Sequence, residues 1–280
     1  MKDRLTPIAI GAALFCVFAA MIIDGGSPAV LFKPAPLILV FGGTFAASVA
    51  GIRKIELGTV RAIFKLAMGH NPPDLHREIT TMVEMAQLAK SGAGVLSLEN
   101  RVRESDDAFL RLGVQLVIDG SSSEEIREIL ETEIAAMQER HRLGAKFFSD
   151  LGGFAPTLGI LGTVIGLVHV LSNLSTPGAL GPAIASAFTA TLWGVLSANL
   201  FWLPISNKLK RLSAAEVQAK QMDLEGLLAI QSGTPTRMVR TRMETFLPAA
   251  ARATAPQRER VQPAGDQVQL QGGGLQEVPS

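Results

Sequence analysis

Between Leu151 and Asn207 the chain carries no Asp, Glu, Lys or Arg. Residues 5–51 are almost as bare, with Asp24 and Lys33 their only charges. Charged residues make up 18% of the whole, below the roughly 25% usual for soluble domains. A single cysteine, Cys16, excludes any internal disulfide. The four histidines (His70, His76, His141, His169) are scattered, so no Cys/His metal spacing exists. No glycine-rich loop precedes a lysine, and no nucleophile–base–acid set is evident, which leaves an enzyme without support and implies neither cofactor nor metal. A net charge of +1 gives no footprint for nucleic acid.

What remains is a pattern of long apolar runs separated by charged blocks. Four spans follow, at 5–23, 34–51, 151–173 and 181–206, each near the ~20 residues that cross a bilayer as a helix. The first run follows Lys2 and Arg4 as a signal peptide would. It is longer than the roughly 7–15 residues of a signal core and lacks a small-x-small cleavage site at Asp24-Gly25-Gly26-Ser27-Pro28, so it is expected to be retained. Short links join the spans into two hairpins. Basic residues flank the outer ends of the hairpins (Lys2, Arg4, Arg53, Lys54, Arg140, Arg142, Lys146, Lys208, Lys210, Arg211), whereas the links hold only Lys33. Both termini and the middle block are therefore expected to be cytoplasmic.

The expected organisation is a first hairpin (1–52), a cytoplasmic helical domain (53–148), a second hairpin (149–207), cytoplasmic helices (208–247) and a disordered tail (248–280). The middle block reads as helices at 56–68, 74–91 and 106–118, with Gly69-His70-Asn71-Pro72-Pro73 as a stop. Ser122 and Glu125 form a capping box that opens a helix with Ile126, Ile129, Leu130, Ile134 and Met137 on one face. Only Gly144 opposes that helix running unbroken into the third span. Residues 208–231 continue the fourth span as helix, Gly233-Thr234-Pro235 breaks it, and Thr234 is a candidate cap for a basic helix at 236–246. From Pro248 onward, Ala, Gln, Pro and Gly without apolar periodicity indicate disorder. No alternating stretch suggests a sheet, and the fold class is all-α.

The groups of interest inside the last two spans are hydroxyls: Thr157 and Thr163 in the third, and Ser186, Thr189, Thr191 and Ser197 in the fourth. Such groups bond back to their own backbone, hold helices together or line a hydrated path. Antiparallel pairing puts Thr163 and Thr191 at similar depth. Gly159, Gly162 and Gly166 share one face, near Gly152, and permit close approach of another helix. Pro156 and Pro204 each lie one turn inside a span, as a static bend or as a hinge. His169 is titratable but lies near the outer end of its span, where an interfacial histidine costs little.

The segment FAPTLGILGTVIGLVHVLSNLSTPGALGPAIASAFTATLWGVLSANLFWLPISNKLK (154–210) resembles the MotA/PomA-type flagellar stator subunits. GGSPAVLFKPAPLILVFGGTFAAS (25–48) resembles the family's first hairpin, and AKSGAGVLSLE (89–99) with DAFLRLGVQLVIDG (107–120) its cytoplasmic block. The resemblance implies a four-span, all-helical inner-membrane subunit, typically five copies around two copies of a MotB/PomB-type partner. The partner's membrane helix carries the ion-binding aspartate, and ion flow there turns the ring against the rotor protein FliG. By position, Pro156 and Pro204 match prolines of conformational coupling, Glu99 an acidic and Lys90 a basic rotor-facing residue, and Thr163 and Thr191 ion-path threonines. Thr163 suggests sodium, but Ala190 replaces a threonine frequent in sodium-driven members and AFTATLWG resembles proton-driven ones, which favours the proton. The runner-up is an ExbB/TolQ-type energiser of an envelope transport system; those have three spans and a large loop after the first, whereas this chain has a full hairpin before its loop.

Overall fold

The computed structural model describes residues 5–52, 72–91, 94–103, 107–172, 174–175, 177–249 and 251. The helix expected at 56–68, His70 and nearly all of the 248–280 tail lie outside the described residues. Eight helices account for the rest: α1 (Leu5–Ile23), α2 (Pro34–Ala50), α3 (Leu75–Ala89), α4 (Leu98–Arg103), α5 (Ala108–Ile118), α6 (Ser123–Ser172), α7 (Pro177–Gln231) and α8 (Thr236–Glu244). No strand occurs among the described residues.

Two helices set the architecture. α6 has 50 residues and α7 has 55, so at about 1.5 Å per residue each is roughly 75–80 Å long. That is more than twice the ~30 Å hydrocarbon layer. Each is therefore one rod, part apolar and part charged. They pair antiparallel over both parts, and at the far end the Gln231 amide donates to the Ser121 carbonyl (3.2 Å) while Ser123 bonds Gln231 (2.7 Å). α1, α6 and α7 are long and apolar enough to cross a membrane; α2, at 17 residues, is shorter but apolar. The two hairpins are tied through the first link. Trp193 Nε1 donates to the Leu31 carbonyl (2.7 Å), and Lys33 Nζ to the Pro182 carbonyl (3.0 Å). Phe32 and Phe41 each meet the Trp193 ring edge-on at 5.8 Å.

The charged part is a helical core. Met82 and Met85 of α3, Leu98 of α4, Val114 of α5, Ile126 and Leu130 of α6, Met222 and Leu227 of α7 and Met243 of α8 are all buried. The capping box forms as expected: Glu125 N–H donates to Ser122 Oγ (3.2 Å) and Ser122 N–H to Glu125 Oε2 (2.9 Å). The Ser122 N–H, and after it the Ser122 hydroxyl, hold the Glu125 carboxyl below its usual range. Asp74 and Asp107 cap α3 and α5 in the same way.

Three local expectations are corrected. Ile129 lies on the exposed side of α6, 41% accessible, because the buried stripe runs Ile126–Leu130–Ile134. Thr234 does not cap α8: Pro235 holds the cap position and the Thr234 hydroxyl pairs with Ser232 (2.9 Å). The second link is shorter than seven residues, since α7 starts at Pro177, whose fixed φ suits a first helical position.

Candidate ion-path site

The contact between α6 and α7 in their apolar part is set by glycine. A Cβ on Gly194 would lie 2.6 Å from the Ala155 carbonyl oxygen, and one on Gly159 would lie 2.9 Å from that of Ala190. On Gly162 and Gly166 it would meet Ala190 Cβ (2.6 Å) and Ala187 Cβ (2.5 Å). The small-residue stripe thus packs against α7 of the same chain.

That approach brings two side chains together. Thr163 Oγ1 and Thr191 Oγ1 are in hydrogen-bond contact across the hairpin. Thr163 also reaches the carbonyls of Gly159 and Ala187 (both 3.2 Å), and Thr191 that of Gly159 (3.1 Å). Two hydroxyls have two protons, and they face two carbonyls and each other. Each hydroxyl can therefore choose between donating to a carbonyl and donating to its neighbour, and both keep lone pairs to accept. The result is a half-buried cluster of neutral oxygens, suited to a small cation or to a protonated acid brought from outside the chain.

Three other span hydroxyls behave differently. Thr157 donates to Phe154 (2.7 Å), Thr189 to Ala185 (2.8 Å) and Ser197 to Gly194 (3.2 Å), all within their own helices. His169 is exposed and sits six residues beyond Thr163, about 9 Å along the axis.

Both prolines lie in helices that run through them. α7 has a π turn at Ala198–Trp202, two residues before Pro204. Gly152, whose carbonyl Pro156 leaves unpaired, packs on Leu203 next to Pro204: a Cβ there would be 2.5 Å from Leu203 Cδ2. The two proline turns therefore face each other at one level.

Lys90 and Glu99 are both exposed. Lys90 ends α3 and Glu99 lies in the first turn of α4. The Ser97 hydroxyl donates to Leu88 (3.0 Å), and this bond holds the two helix ends together with Lys90 and Glu99 each two residues beyond it. Arg101 bridges back to Glu84 (3.1 Å).

Two groups of polar residues escaped the sequence reading. In the charged part, Lys220 Nζ donates to Asp107 (2.5 Å) and Asp223 (3.3 Å), with Glu78 beside them. Burial pushes Asp223 up to about 7, the charge of Glu78 adds to the rise, and Lys220 opposes it. Burial also raises Glu78. These acids, with Asp74, Arg77 and Arg101, line a cavity of about 440 Å³. In the apolar part, Thr44 and Ser48 of α2 are 1% and 2% accessible, and neither hydroxyl has a hydrogen-bond partner among the described residues. The available signal was their i, i+4 spacing in an otherwise apolar helix.

Residues 101–222 match the MotA/TolQ/ExbB proton channel family. The chain is 37% identical to Motility protein A of Bacillus subtilis over 251 residues, covering 89% of this chain and 93% of that protein. It is 32% identical to the chemotaxis protein PomA of Vibrio alginolyticus, covering 87% and 94%. Among solved structures, the flagellar MotAB stator complex of Bacillus subtilis superposes with a TM-score of 0.83 at 36% identity, over 89% of this chain and 98% of that one. The MotAB structure of C. jejuni gives 0.85 at 25% identity, over 92% and 99%. The relatives and solved structures cover 87–92% of the chain, too much to leave out the first hairpin that the ExbB/TolQ reading lacks, and the chain belongs to the MotA/TolQ/ExbB proton channel family as one of its Motility protein A-type members.

Proposed function

We propose that this chain is a flagellar stator subunit that couples ion flow through the membrane to torque on a rotor, with a MotB-type partner supplying the acid it lacks. The carrying observation is the pairing of Thr163 with Thr191 in a region without any Asp, Glu, Lys or Arg. Such a site accepts an ion but cannot relay one by itself; a carboxyl on a neighbouring helix completes it. The relatives solved as MotAB complexes, and the family's description as proton channels, support both the partner and the proton. The apolar stripe Ile160, Val164, Val168 and Leu171 lies open on α6 and would seat the partner helix or a neighbouring copy.

In this reading several copies, five by resemblance, ring the partner. The chain is a multi-pass inner-membrane protein with both termini and the charged part cytoplasmic. Protonation of the partner's acid beside Thr163 and Thr191 removes a charge that the apolar sleeve disfavours. The facing turns at Pro156 and Pro204 form the hinge that passes this change along α6 and α7. Because those rods continue into the charged part without a break, movement at the hinge reaches Lys90 and Glu99, which contact FliG. Opposite charges on an exposed surface suit rapid, salt-sensitive engagement.

The test pairs flux with motility. Thr191→Val keeps the shape and removes one hydroxyl; the complex should assemble normally while swimming stops. Normal swimming would remove the hydroxyl pair from the path. Reconstituted alone in liposomes, the chain should pass no protons, and robust flux without a partner would overturn the borrowed-acid mechanism.

A further inference from the structure

Helix α1 is the least attached of the apolar helices. None of its apolar window is buried, and it meets α7 at the π turn Ala198–Trp202. Two grooves lie between α1 and α7. One is walled by Pro7, Leu14, Phe41, Trp193, Phe201 and Ile205 and is apolar throughout. The other, about 550 Å³, is walled by the small or apolar Ala9, Ile10, Ala13 and Leu200 but ends at Asn207, Lys208 and Arg211.

The end of this second groove has a defined depth. Lys208 is the first charge after the uncharged stretch 151–207, so the mouth lies where α7 leaves the hydrocarbon. Lys208 Nζ donates to Thr6 Oγ1 (2.9 Å), which holds the ammonium across the mouth from α7 to α1. Arg211, one turn further, is exposed and makes no ion pair among the described residues. Among the described residues, the charged side chains lining the groove are Lys208 and Arg211, both basic.

We propose that this groove binds an anionic phospholipid, its phosphate at Lys208 and Arg211 and an acyl chain along Ala9, Ile10, Ala13 and Leu200. Its volume falls within the roughly 300–1,000 Å³ of small-molecule sites. A guanidinium fork matches phosphate oxygens in two-point geometry, and an ammonium beside it adds a point charge. Charge decides the occupant. A neighbouring copy of this chain reaches the same depth with Lys146, Lys208, Lys210 and Arg211 against Asp150, which its own Lys146 already pairs (2.7 Å), and so brings mostly like charge to like. The lipid brings the opposite charge and a chain that fits the apolar wall. Pro204 lines the same groove, so a bound lipid touches one of the two facing proline turns. The site rests on the membrane placement of α1 and α7, not on the torque cycle.

The assembled complex, purified with its native lipids, is examined by native mass spectrometry for retained phosphatidylglycerol and phosphatidylethanolamine. The unaltered protein should retain the anionic lipid in preference, and Lys208→Gln with Arg211→Gln should lower that retention about tenfold. Lys210→Gln removes the same kind of charge but faces a different cavity, beside His141 and Arg142, and should retain lipid. Ala13→Trp fills the wall without changing charge and should expel it. Equal loss in Lys210→Gln would reduce the effect to general attraction and overturn the site. Displacement by excess inorganic phosphate would show an anion site without a lipid chain. Loss of subunits from the Ala13→Trp complex would assign the groove to contact between copies. Loss of swimming with lipid retained would bear on the stator reading alone.

Discussion

The two parts of the α6/α7 rods bury polar groups by opposite means. Among the described residues, the buried polar groups of the apolar part are the hydroxyls of Thr44, Ser48, Thr189, Ser197 and Ser206, and that of the charged part is Asp223, salt-bridged to Lys220. Helix starts differ too. The apolar part opens helices on Pro34 and Pro177, whose missing N–H needs no partner, whereas α3, α5 and α6 start in the charged part on Asp74, Asp107 and Ser122, which satisfy exposed N–H groups. Where lipid surrounds the helix, no solvent repairs an unmade hydrogen bond, so polar groups stay neutral, and Thr189, Ser197 and Ser206 donate to carbonyls. Where water is near, a charge can be buried if a counter-charge goes with it.

The largest effect is expected where the apolar part is tightest. A side chain on Gly194 meets the Ala155 carbonyl (2.6 Å) and Gly159 Cα (3.1 Å), both backbone, so nothing can rotate away. Overpacking costs about 1–3 kcal/mol, and more when backbone must shift. Gly194→Val should prevent recovery of the assembled complex by gel filtration. Gly153→Ala, where a Cβ meets nothing within 4 Å, should leave assembly unchanged. Equal behaviour of the two variants would break the claim that close approach builds the hydroxyl pair.

In the charged part the weak point is the shared cation. Lys220→Met strands Asp107 and Asp223, and removing one partner of a buried pair costs about 3–5 kcal/mol. Thermal unfolding of the solubilised complex should shift clearly downward. Adding Asp107→Asn and Asp223→Asn should recover much of the loss, because neutral amides need no ammonium. If Lys220→Met melts like the unaltered protein, the cluster is a surface pair and the contrast between the two parts fails.

The same cluster sharpens the comparison through pH. Asp223 holds its proton up to about 7, against an ordinary 3.8, and Glu78 is raised as well. A carboxyl that binds its proton more tightly when folded stabilises the fold fully below its unfolded value, and that contribution is lost as pH rises through the folded one. Hydrogen exchange in α3 and the second half of α7, corrected for intrinsic rate, should therefore quicken between about pH 4 and pH 7. Asp223→Asn should flatten that rise. The Thr163–Thr191 pair has no carboxyl, so exchange around it should show no matching slope in the isolated chain.

The sequence revealed more of the apolar part than of the charged part, for a physical reason. Lipid requires long uncharged runs, and these fix spans, hairpins and depth; depth then pairs Thr163 with Thr191. The capping box was legible because both partners lie within three residues. The cluster at Asp223 was not. Lys220 and Asp223 at i, i+3 look like a solvated helix pair, and the acid that completes them, Asp107, lies 113 residues from Lys220. Ile129 misled for a similar reason. An apolar residue beside a buried stripe carries no local sign of which side of the stripe's edge it occupies.

The smallest effect separates the two ways of starting a helix. Ser122→Ala removes the hydroxyl that accepts from Glu125 N–H and leaves that donor to water, at a cost of about 1 kcal/mol. The loss should stay local, as faster exchange in the first turn of α6, and should leave the Glu125 carboxyl below its ordinary range, since the Ser122 N–H, the larger of the two groups holding it down, remains in alanine. Pro177→Ala at the start of α7 removes no acceptor. It adds an N–H at a position that bonds to nothing within the helix and restores some freedom to the unfolded chain, so its effect should be a few tenths of a kcal/mol at most. If Pro177→Ala costs as much as Ser122→Ala, the apolar part relies on its proline starts as strongly as the charged part relies on side-chain caps, and the difference between the two environments does not extend to the helix ends.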